Sequence, residues 1–394
     1  MAAGRQTQSF PSAMLVVALI LALALGARVV LLPDPRAAAG PGSSPSPSAS
    51  PRAQGPAASP APSSAPPTGV YANTGVGAFS PTVAGDPELV YVPDAGAGMV
   101  EEIDPTTYKV VRRFKTGLYP QHITPSWDLK TLYVDVTTSS ELVAIDPKTG
   151  KVIRTIRNID HPYNLYFTPD GTKAITVAEY YNRLDFRDPH TWKLIKSVLL
   201  PCHGPDHADF SRDGSYFLIS CEFDGIVVKV DANQMKVLGT IHVGGLPVDI
   251  KISPDGSVFF VANQGTSGVS VISAATDKVI KFIPTGKGAH GFAVSRDATE
   301  LYVSNRLGDS ISVISFATRE VVATWKVGGS PDMLQVSPDG TRLWFSNRYN
   351  RSVTVLDTAT GQVLKIIKVG QNPHGLCYFP QPGQYSIGHN GVYR

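Results

Sequence analysis

The sequence predicts an all-β protein, a seven-bladed β-propeller, and three features of the sequence support this. Asp213, Asp255, Asp297 and Asp339 follow one another at intervals of 42 residues, so the chain is built of repeats. Each repeat contains four short segments with strand-like patterning, which is the content of one propeller blade. Incomplete repeats stand at the two ends of the repeat region, and together they supply one further blade.

The four strands of one repeat follow one another in a fixed order. The first is a short apolar segment such as "VDIKIS" that ends in "PDG", where Asp-Gly favours a tight hairpin because glycine adopts positive φ without steric cost. The second strand reads "VFFVAN" or "LYVSN", and the third alternates valine with small or polar residues, as in "SVTVLD", which is the period of a β-strand. Next comes a turn such as "DTATGQV", whose first side chain can accept a hydrogen bond from the backbone two residues on. The fourth strand ends at glycine, as in "WKVGG".

The complete repeats leave one blade to be assembled from both ends of the region. Six complete units begin near Leu118, Asp160, Cys202, Gly245, Lys287 and Gly329. Residues 88–117 contain strands two to four of a unit but no first strand, and residues 372–379, "NPHGLCYF", read as a first strand without the rest. We predict that these two pieces pair and close the ring, because closure removes the unpaired edges that an open array would expose.

The amino-terminal segment is expected to direct the chain out of the cytoplasm. Arg5 precedes an apolar run that is interrupted only by Arg28, so residues 1–32 fit a signal peptide or a single membrane anchor. The positive charge before the run would keep its amino end in the cytoplasm. The protein is therefore predicted to be extracytoplasmic, either secreted or held at the membrane by the uncleaved segment.

A linker separates this segment from the propeller. Residues 33–70 are rich in Pro, Ala, Ser and Gly, a composition that buries little apolar surface and is typical of a disordered tether. The propeller is predicted to occupy residues 71–394.

The composition limits the kinds of partner. The net charge is +3 and no long basic run is present, so no nucleic-acid partner is expected. Three cysteines are too few for a disulfide scaffold and show no CxxC spacing. The sequence also contains no nucleophile elbow, P-loop, HExxH, dinucleotide fingerprint or CxxCH haem attachment site.

The phrases "LYVSN" and "FFVAN", together with "SPDG" and "TGKV", resemble the YVTN-type β-propeller repeat family. The resemblance covers nearly everything after the linker. Exported bacterial members of that family resemble the propellers of phosphogluconolactonase-like proteins and of the haem-binding nitrite reductase domain. The resemblance therefore implies the fold, but propellers host many unrelated activities, so function must be argued from the site.

Two consecutive positions at the start of each first strand are predicted to ring one end of the axial channel. Counted back from "PDG", they carry polar and ionisable residues in most repeats. The residues predicted to bind a ligand there are His122, Asn164, His207, Asp249, His290, Asp332 and His374. The alternative is that these polar side chains only complete the exposed inner strands and hydrogen-bond to loop backbone.

The loops after the second strands are expected to open at the same end, and their charges are unevenly distributed. Arg306 and Arg348 fall on one side of the rim, and Glu179 and Glu222 on the other. Arginine pairs suit carboxylate or phosphate groups. The side chains predicted to hold an anionic group of a ligand are Arg306, Arg348, His290 and His374. The alternative is a solvated rim in which neighbouring charges pair.

The fourth repeat contains two cysteines that can approach each other. Cys202 and Cys221 fall almost opposite one another in the hairpin, and an exported protein favours a disulfide. A metal site of these thiolates with His203 or His207 is a second interpretation, and unpaired structural cysteines are a third. Cys377 is predicted to be a small core residue.

These features favour a binding or interaction module without a cofactor. Its channel mouth would be presented to a small anionic ligand, a wall polymer or a protein. A lactonase or metal-assisted hydrolase with a divalent metal is the first alternative. A haem-carrying or redox propeller is the second; there the resemblance to nitrite reductase implies His122, His207 or His374 as axial candidates. The carboxy-terminal "SIGHNGVYR" suggests no role, and it could lie across the channel or trail from the domain.

Overall fold

The computed structural model of the protein describes residues 67–389 and 392–394. The predicted signal or anchor segment, and the predicted linker up to residue 66, lie outside the described residues. The last linker positions are already folded: Gly69–Tyr71 forms a 3-10 helix, and the N–H of Val70 donates to the carbonyl of Pro254 at 2.8 Å. The folded domain therefore begins a few residues before the predicted boundary. No helix in this part of the chain is long and apolar enough to cross a membrane.

Seven antiparallel sheets make up the described chain, as the repeats predict. Each sheet is one blade, numbered here 1 to 7 in chain order. Six sheets have four strands, and the sheet of blade 3 has six because the carboxy-terminal tail adds two. The seven-bladed all-β architecture is thereby confirmed.

Blades 2 to 7 repeat the same four strand positions from the channel outward. The inner strands are β4 (Pro120–Pro125), β8 (Pro162–Phe167), β12 (Pro205–Phe210), β16 (Pro247–Ile252), β20 (Ala289–Val294) and β24 (Pro331–Val336). The second strands are β5 (Leu132–Val136), β9 (Ala174–Ala178), β13 (Tyr216–Cys221), β17 (Val258–Asn263), β21 (Glu300–Asn305) and β25 (Arg342–Asn347). The third strands are β6 (Glu141–Asp146), β10 (Arg183–Arg187), β14 (Ile226–Asp231), β18 (Gly268–Ser273), β22 (Ser310–Ser315) and β26 (Ser352–Asp357). The outer strands are β7 (Lys151–Arg157), β11 (Leu194–Leu199), β15 (Lys236–His242), β19 (Val279–Pro284), β23 (Glu320–Lys326) and β27 (Val363–Lys368).

Blade 1 is built from both ends of the described chain. Its strands, from the channel outward, are β28 (Cys377–Phe379), β1 (Leu89–Asp94), β2 (Met99–Asp104) and β3 (Lys109–Lys115). The inner strand pairs antiparallel with β1, and Tyr91 lies opposite Cys377. The predicted closure of the ring by amino- and carboxy-terminal strands is confirmed.

Apolar side chains fill the spaces between neighbouring blades. Every junction between two blades contains one cluster of buried apolar residues, and these seven clusters make up the core of the described chain. The cluster between blades 7 and 1 contains Trp344, Val90 and Tyr378, so the closing junction is packed like the others. Core packing therefore runs around the whole ring.

The hairpin between the first and second strands is stabilised by a recurring side-chain contact. In blade 5, Asp255 accepts hydrogen bonds from the Ser253 hydroxyl at 2.5 Å and from the Ser257 N–H at 3.0 Å. Gly256 follows with φ +75°, a conformation that favours glycine. In blade 6 the equivalent residue is Ala298, which adopts φ 54° in the same turn. The surrounding contacts hold this backbone conformation even where glycine is missing.

The described part of the carboxy-terminal tail, residues 381–389 and 392–394, enters the axial channel. Its two short strands are β29 (Ser386–Gly388) and β30 (Val392–Tyr393). Gly388 pairs with Tyr166 on the inner strand of blade 3. A Cβ at Gly388 would lie 2.3 Å from the Tyr166 ring, so only glycine permits this approach. Of the two placements that the sequence left open for the tail, the structure shows the one inside the channel.

Candidate functional site

A β-bulge near the start of the inner strands of blades 2 to 7 leaves one or two consecutive residues without a partner on the second strand. In blades 2 to 7 the pairing with the second strand shifts register just after the first residue of the inner strand. In blade 4, for example, the shift lies between Pro205 and Ala208, so Asp206 and His207 have no partner on β13. A bulge interrupts the alternation of a strand and redirects its side chains. Polar residues at both positions can therefore contribute to one site.

The first layer of the site is an open cavity of about 180 Å³ at this end of the channel, called the mouth below. Its lining combines residues of the inner strands with residues of the loops after the second strands. The mouth is lined by Tyr119, Gln121, Tyr163, Glu179, Asp206, Glu222, His290, Arg306, Arg348 and His374. Because small-molecule pockets usually measure about 300–1,000 Å³, this cavity suits a ligand of few atoms or one end of a longer one.

Carboxylates occupy one side of the mouth. Glu179 and Glu222 each open a short 3-10 helix after the second strand of blades 3 and 4. Burial and the nearby Asp206 carboxylate raise the pKa of Glu179 to about 8 and that of Glu222 to about 7. Among the described residues neither glutamate forms an ion pair. Arg348, and for Glu222 also Arg306 and His207, lower these pKa values only in part, so a further positive charge on this side of the mouth would be favourable.

Basic side chains occupy the other side, and they surround Asp332. The Arg306 guanidinium donates to Asp332 Oδ1 from Nε at 3.0 Å and from Nη2 at 2.5 Å. His290 Nδ1 lies 3.1 Å from the same oxygen. Arg348 Nη1 and His374 Nε2 lie 3.7 Å and 3.6 Å from Oδ2. The four side chains predicted to hold a ligand's anionic group are thus arranged around a carboxylate of the protein itself.

The Arg348 guanidinium makes fewer hydrogen bonds than the Arg306 guanidinium. Its Nη2 donates to the Tyr119 hydroxyl at 3.3 Å, and its buried Nη1 has no hydrogen-bond partner among the described residues. Arg306 donates two hydrogen bonds to one oxygen of Asp332, in the manner of the alternative in which neighbouring charges pair. Arg348 is therefore the basic group of the mouth with donors left for a ligand.

Beneath the mouth lies a second layer, called the histidine cluster below, which consists of His122, His207 and His389. The side chain of each is almost completely inaccessible to solvent. The ring centroid of His122 lies 4.0 Å from that of His389 and 5.2 Å from that of His207, and the His207 and His389 centroids are 4.8 Å apart. One ring nitrogen from each residue can be chosen so that all three lie within 4.8 Å of one another. His374 connects the layers, with its ring centroid 4.4 Å from that of His122.

The pKa values of the three imidazoles are shifted in different directions. Burial is the largest cause that lowers the pKa of His122 and of His389 well below the ordinary value, and neighbouring basic groups lower it further. Burial also acts to lower the pKa of His207, but the Asp206 carboxylate outweighs it and the net shift is upward. His207 Nδ1 is in close contact with Asp206 Oδ1.

Asn164 and Asp249, also predicted to bind a ligand, face neighbouring blades instead. Asn164 Nδ2 donates to the backbone carbonyl of Asp206 at 3.1 Å. Asp249 Oδ2 accepts the N–H of Phe292 at 2.8 Å. The inner edge of an inner strand has no further strand to pair with, so these side chains satisfy backbone groups of the next blade. Neither residue lines the mouth.

Cys202 and Cys221 form a disulfide, with their Cα atoms 6.0 Å apart. Neither sulfur is therefore available as a thiolate, and the predicted metal set with His203 or His207 is not assembled. His203 is exposed and its Nδ1 lies 3.0 Å from Asp224 Oδ2. Cys377 is buried in β28, where burial raises the pKa of its thiol.

His389 and Tyr119 were not assigned to the site from the sequence. His389 follows the last repeat, so no equivalent position in other blades indicates its place, although the glycine before it permits the close approach to β8 described above. Tyr119 precedes the first residue of β4, and a comparison of the residues before each inner strand would have included it. Glu179 and Glu222 lie on the rim as predicted, but they were not assigned to ligand binding.

Comparisons with known proteins agree with this architecture. The sequence profile of the YNCE-like beta-propeller family matches residues 65–381. No curated protein sequence matches the chain significantly.

Several solved structures share the fold at low sequence identity. A chain of the Kuenenia stuttgartiensis hydrazine synthase is 21% identical with a TM-score of 0.63, over 70% of this chain and 94% of that one. The dihydro-heme d1 dehydrogenase NirN is 18% identical with a TM-score of 0.59, over 76% of each chain. A Bacteroides uniformis protein described provisionally as a 6-phosphogluconolactonase is 16% identical with a TM-score of 0.63, over 74% of this chain and 99% of that one. At these identities the likeness concerns the fold alone, whereas the family profile spans most of the sequence, and the protein accordingly belongs to the YNCE-like β-propeller family.

Proposed function

We propose that the protein is a binding module that works outside the cytoplasm and whose mouth takes a small zwitterionic group. The observation that carries this proposal is the division of the mouth into an acidic and a basic side. Glu179 and Glu222 have no ion-pair partner among the described residues, and Arg348, also in the mouth, keeps a buried Nη1 that makes no hydrogen bond and lies 3.7 Å from Asp332 Oδ2. An amine would bind on the acidic side, and a carboxylate or phosphate at Arg348.

This proposal refines the anionic ligand expected from the sequence. Asp332 already supplies one negative charge to the basic side, so a second anion gains less there than four free basic groups would provide. An added amine, in contrast, meets carboxyl groups whose raised pKa values show that a nearby positive charge would favour their ionised form. A free amino acid, or the amine- and acid-bearing end of a polymer or peptide, has this combination of charges and fits a mouth of about 180 Å³.

The disulfide supports the extracytoplasmic assignment. Stable disulfides form in oxidising compartments and are rare in the cytosol. Cys202 and Cys221 are both buried where they are joined, so the bridge belongs to the folded structure. Fusing residues 1–70 to a reporter enzyme that is active only outside the cytoplasm tests the assignment, and an inactive fusion at normal expression would contradict it.

Calorimetry with matched small molecules tests ligand binding. We expect an amino acid to bind at least about tenfold more tightly than its amine-only or acid-only analogue. Glu222→Gln should remove the preference for the amine and Arg348→Gln the preference for the acid, whereas Glu320→Gln on the exposed outer strand of blade 6 should change neither. Equal affinity for all three molecules, or unchanged binding by both mouth variants, would reject the proposal.

The haem alternative has little geometric support in the described residues. Its axial candidates His122 and His207 pack ring against ring with each other and with His389, at centroid distances of 5.2 Å, 4.0 Å and 4.8 Å. A macrocycle would have to separate these rings. The hydrolase alternative would depend on a metal near the mouth.

A further inference from the structure

The histidine cluster is a group of buried polar side chains that the proposed ligand site does not use. Neither ring nitrogen of His122 or His389 has a hydrogen-bond partner among the described residues, and the same holds for Nε2 of His207. A buried polar atom left unsatisfied destabilises the fold, because it loses its hydrogen bonds to water and gains none in the protein. Three such rings in contact are therefore an expensive way to fill a channel that apolar side chains could fill.

The contact between His207 and Asp206 resembles the support that metal ligands commonly receive. The carboxylate lies against Nδ1 of His207, which favours a proton on that nitrogen and leaves a lone pair on Nε2. Ligating histidines usually donate their second ring nitrogen to a carboxylate or carbonyl group in this way. The arrangement thus selects one nitrogen of His207 and points to what it would bind.

We propose that His122, His207 and His389 together bind one divalent transition-metal ion within the channel, beneath the mouth. One nitrogen from each ring already lies within 4.8 Å of the other two. A tetrahedral ion with metal–nitrogen bonds of about 2.0–2.1 Å needs ligand nitrogens roughly 3.3 Å apart. Rotation of the rings and a small movement of the tail would make up the difference.

The ligand set determines the class of ion. Imidazole suits Zn²⁺, Cu²⁺, Ni²⁺ and Co²⁺, whereas Ca²⁺ and Mg²⁺ prefer oxygen ligands. Three protein ligands leave a coordination position for water or another small molecule, which is typical of sites with an exchangeable ligand. This site differs from the cysteine-containing set considered from the sequence, because it uses the tail residue His389 and no sulfur.

The tail makes the site depend on the completed fold. His389 follows Gly388, which pairs with Tyr166 of blade 3, whereas His122 and His207 lie in blades 2 and 4. The ion would therefore join two blades and the carboxy-terminal tail. An ion that binds the folded chain but not the unfolded chain stabilises the fold by mass action.

The direct test measures metal uptake by untagged protein from which metal has been removed. Zn²⁺ titrated by calorimetry should bind at one equivalent per chain and raise the melting temperature. Co²⁺ should bind at the same stoichiometry and give the visible absorption of a nitrogen-ligated ion. Tight binding of less than about half an equivalent of Zn²⁺ or Co²⁺ per chain overturns the proposal. Buried water would then be the occupant of the histidine cluster.

Ring-preserving variants separate metal binding from packing. His389→Phe and His122→Phe keep a ring in the channel but remove both nitrogens, so the metal-free variants should melt at or above the temperature of the metal-free wild type. Each should bind Zn²⁺ at least about 100-fold more weakly and lose the metal-dependent rise in melting temperature. His203→Ala removes an exposed imidazole, with 72% of its side chain accessible, and should bind as the wild type does.

A positioning role for Asp206 gives a graded result. Asp206→Asn should weaken Zn²⁺ binding by about 10- to 100-fold without abolishing it, as loss of a supporting carboxylate does. If His389→Phe folds and binds Zn²⁺ with wild-type affinity, the assignment of the ligands is wrong. Amino-acid binding to the mouth is measured separately, so failure of one proposal is distinguishable from failure of the other.

Discussion

Asp332 lies at the centre of the basic side of the mouth and is completely buried. Arg306 and Arg348 are both close to this carboxylate, and two histidines complete its surroundings. Buried ion pairs add little net stability when they are intact, but they are costly to break because the remaining charge stays desolvated. At the scale of a single residue, the mouth therefore depends on this carboxylate for its shape as well as its charge.

Asp332→Asn should lower the free energy of unfolding by about 3 kcal/mol, because Arg306 would remain buried without a negative partner. Urea denaturation monitored by near-ultraviolet circular dichroism measures the loss. Asp357→Asn in the same blade is the matched control, since its partner Arg342 is partly exposed and such pairs contribute about 0–1 kcal/mol. Equal losses of unfolding free energy in the two variants would show that the buried ion pair contributes no more than the partly exposed one.

Asp94 predicts a specific pH dependence of stability. Burial, and then the nearby Glu101 carboxylate, raise the pKa of Asp94 to about 8. Between about pH 4 and pH 8 the folded chain therefore keeps the Asp94 proton, whereas the unfolded chain has released it. The contribution of Asp94 to stability is complete in acid and is lost progressively as the pH rises towards 8. The stability of Asp94→Asn relative to the wild type should therefore rise steadily from about pH 4 to pH 8, so that the variant gains on the wild type between pH 5 and pH 9.

Thermal melts at pH 5, 7 and 9 measure this difference. The partly exposed Asp104 provides the control, because hydrogen bonds from Thr107 and Thr106 lower the pKa of its carboxyl. Asp104→Asn should therefore lose no stability selectively in the alkaline range. A parallel pH profile for wild type and Asp94→Asn would contradict the assignment.

At the scale of the element, the disulfide joins the segment before β12 to the end of β13 in blade 4. The two cysteines are 19 positions apart, and a loop of about that size gives roughly 3 kcal/mol of stabilisation in the chain-entropy treatment. The bridge also holds the hairpin at the place where Asp206 and His207 leave the strand ladder. It therefore stabilises the part of blade 4 that supplies both layers of the site.

Replacing both cysteines, Cys202→Ala with Cys221→Ala, should lower the free energy of unfolding by about 2–4 kcal/mol. Reducing agent should lower the stability of the wild type by a similar amount and leave the double variant unchanged. Denaturation with and without reductant measures both effects. A wild type that is insensitive to reductant, with its thiols shown to be free, would contradict the role given to the bridge.

The strands of the blades follow from the sequence, but the roles of residues at the mouth follow only in part. Repeats fix the strand positions because every unit repeats the same hairpin chemistry, as with Asp255 and Gly256. The bulges place neighbouring residues such as Asp206 and His207 in different layers of the site. The alternation of residues in the sequence does not indicate which layer each of them enters. Asn164 and Asp249 occupy the predicted positions, yet hydrogen bonding to the next blade determines their role. His389 has no counterpart in any repeat, so only the folded tail shows its place.

At the scale of the whole molecule, β28 determines whether the ring is closed. Deletion from Gly370 onward would remove this strand, expose the inner edge of β1 and open the apolar junction between blades 7 and 1. We expect the shortened protein to aggregate or to lose its near-ultraviolet circular dichroism, because unpaired strand edges pair with other chains. A monomeric product with the wild-type melting temperature would refute closure. Addition of a peptide of residues 370–394 should recover soluble protein if the lost strand is the cause.

The pairing of Leu89 with Phe379 joins positions near the opposite ends of the domain. A contact between such distant positions forms late, because the entropy of a long loop must be lost before the contact gives any gain. Until then the last-formed junction remains accessible to other polypeptides, and intermolecular association competes with the intramolecular step. Refolding from denaturant should therefore be slow and should give a yield that falls as the protein concentration increases.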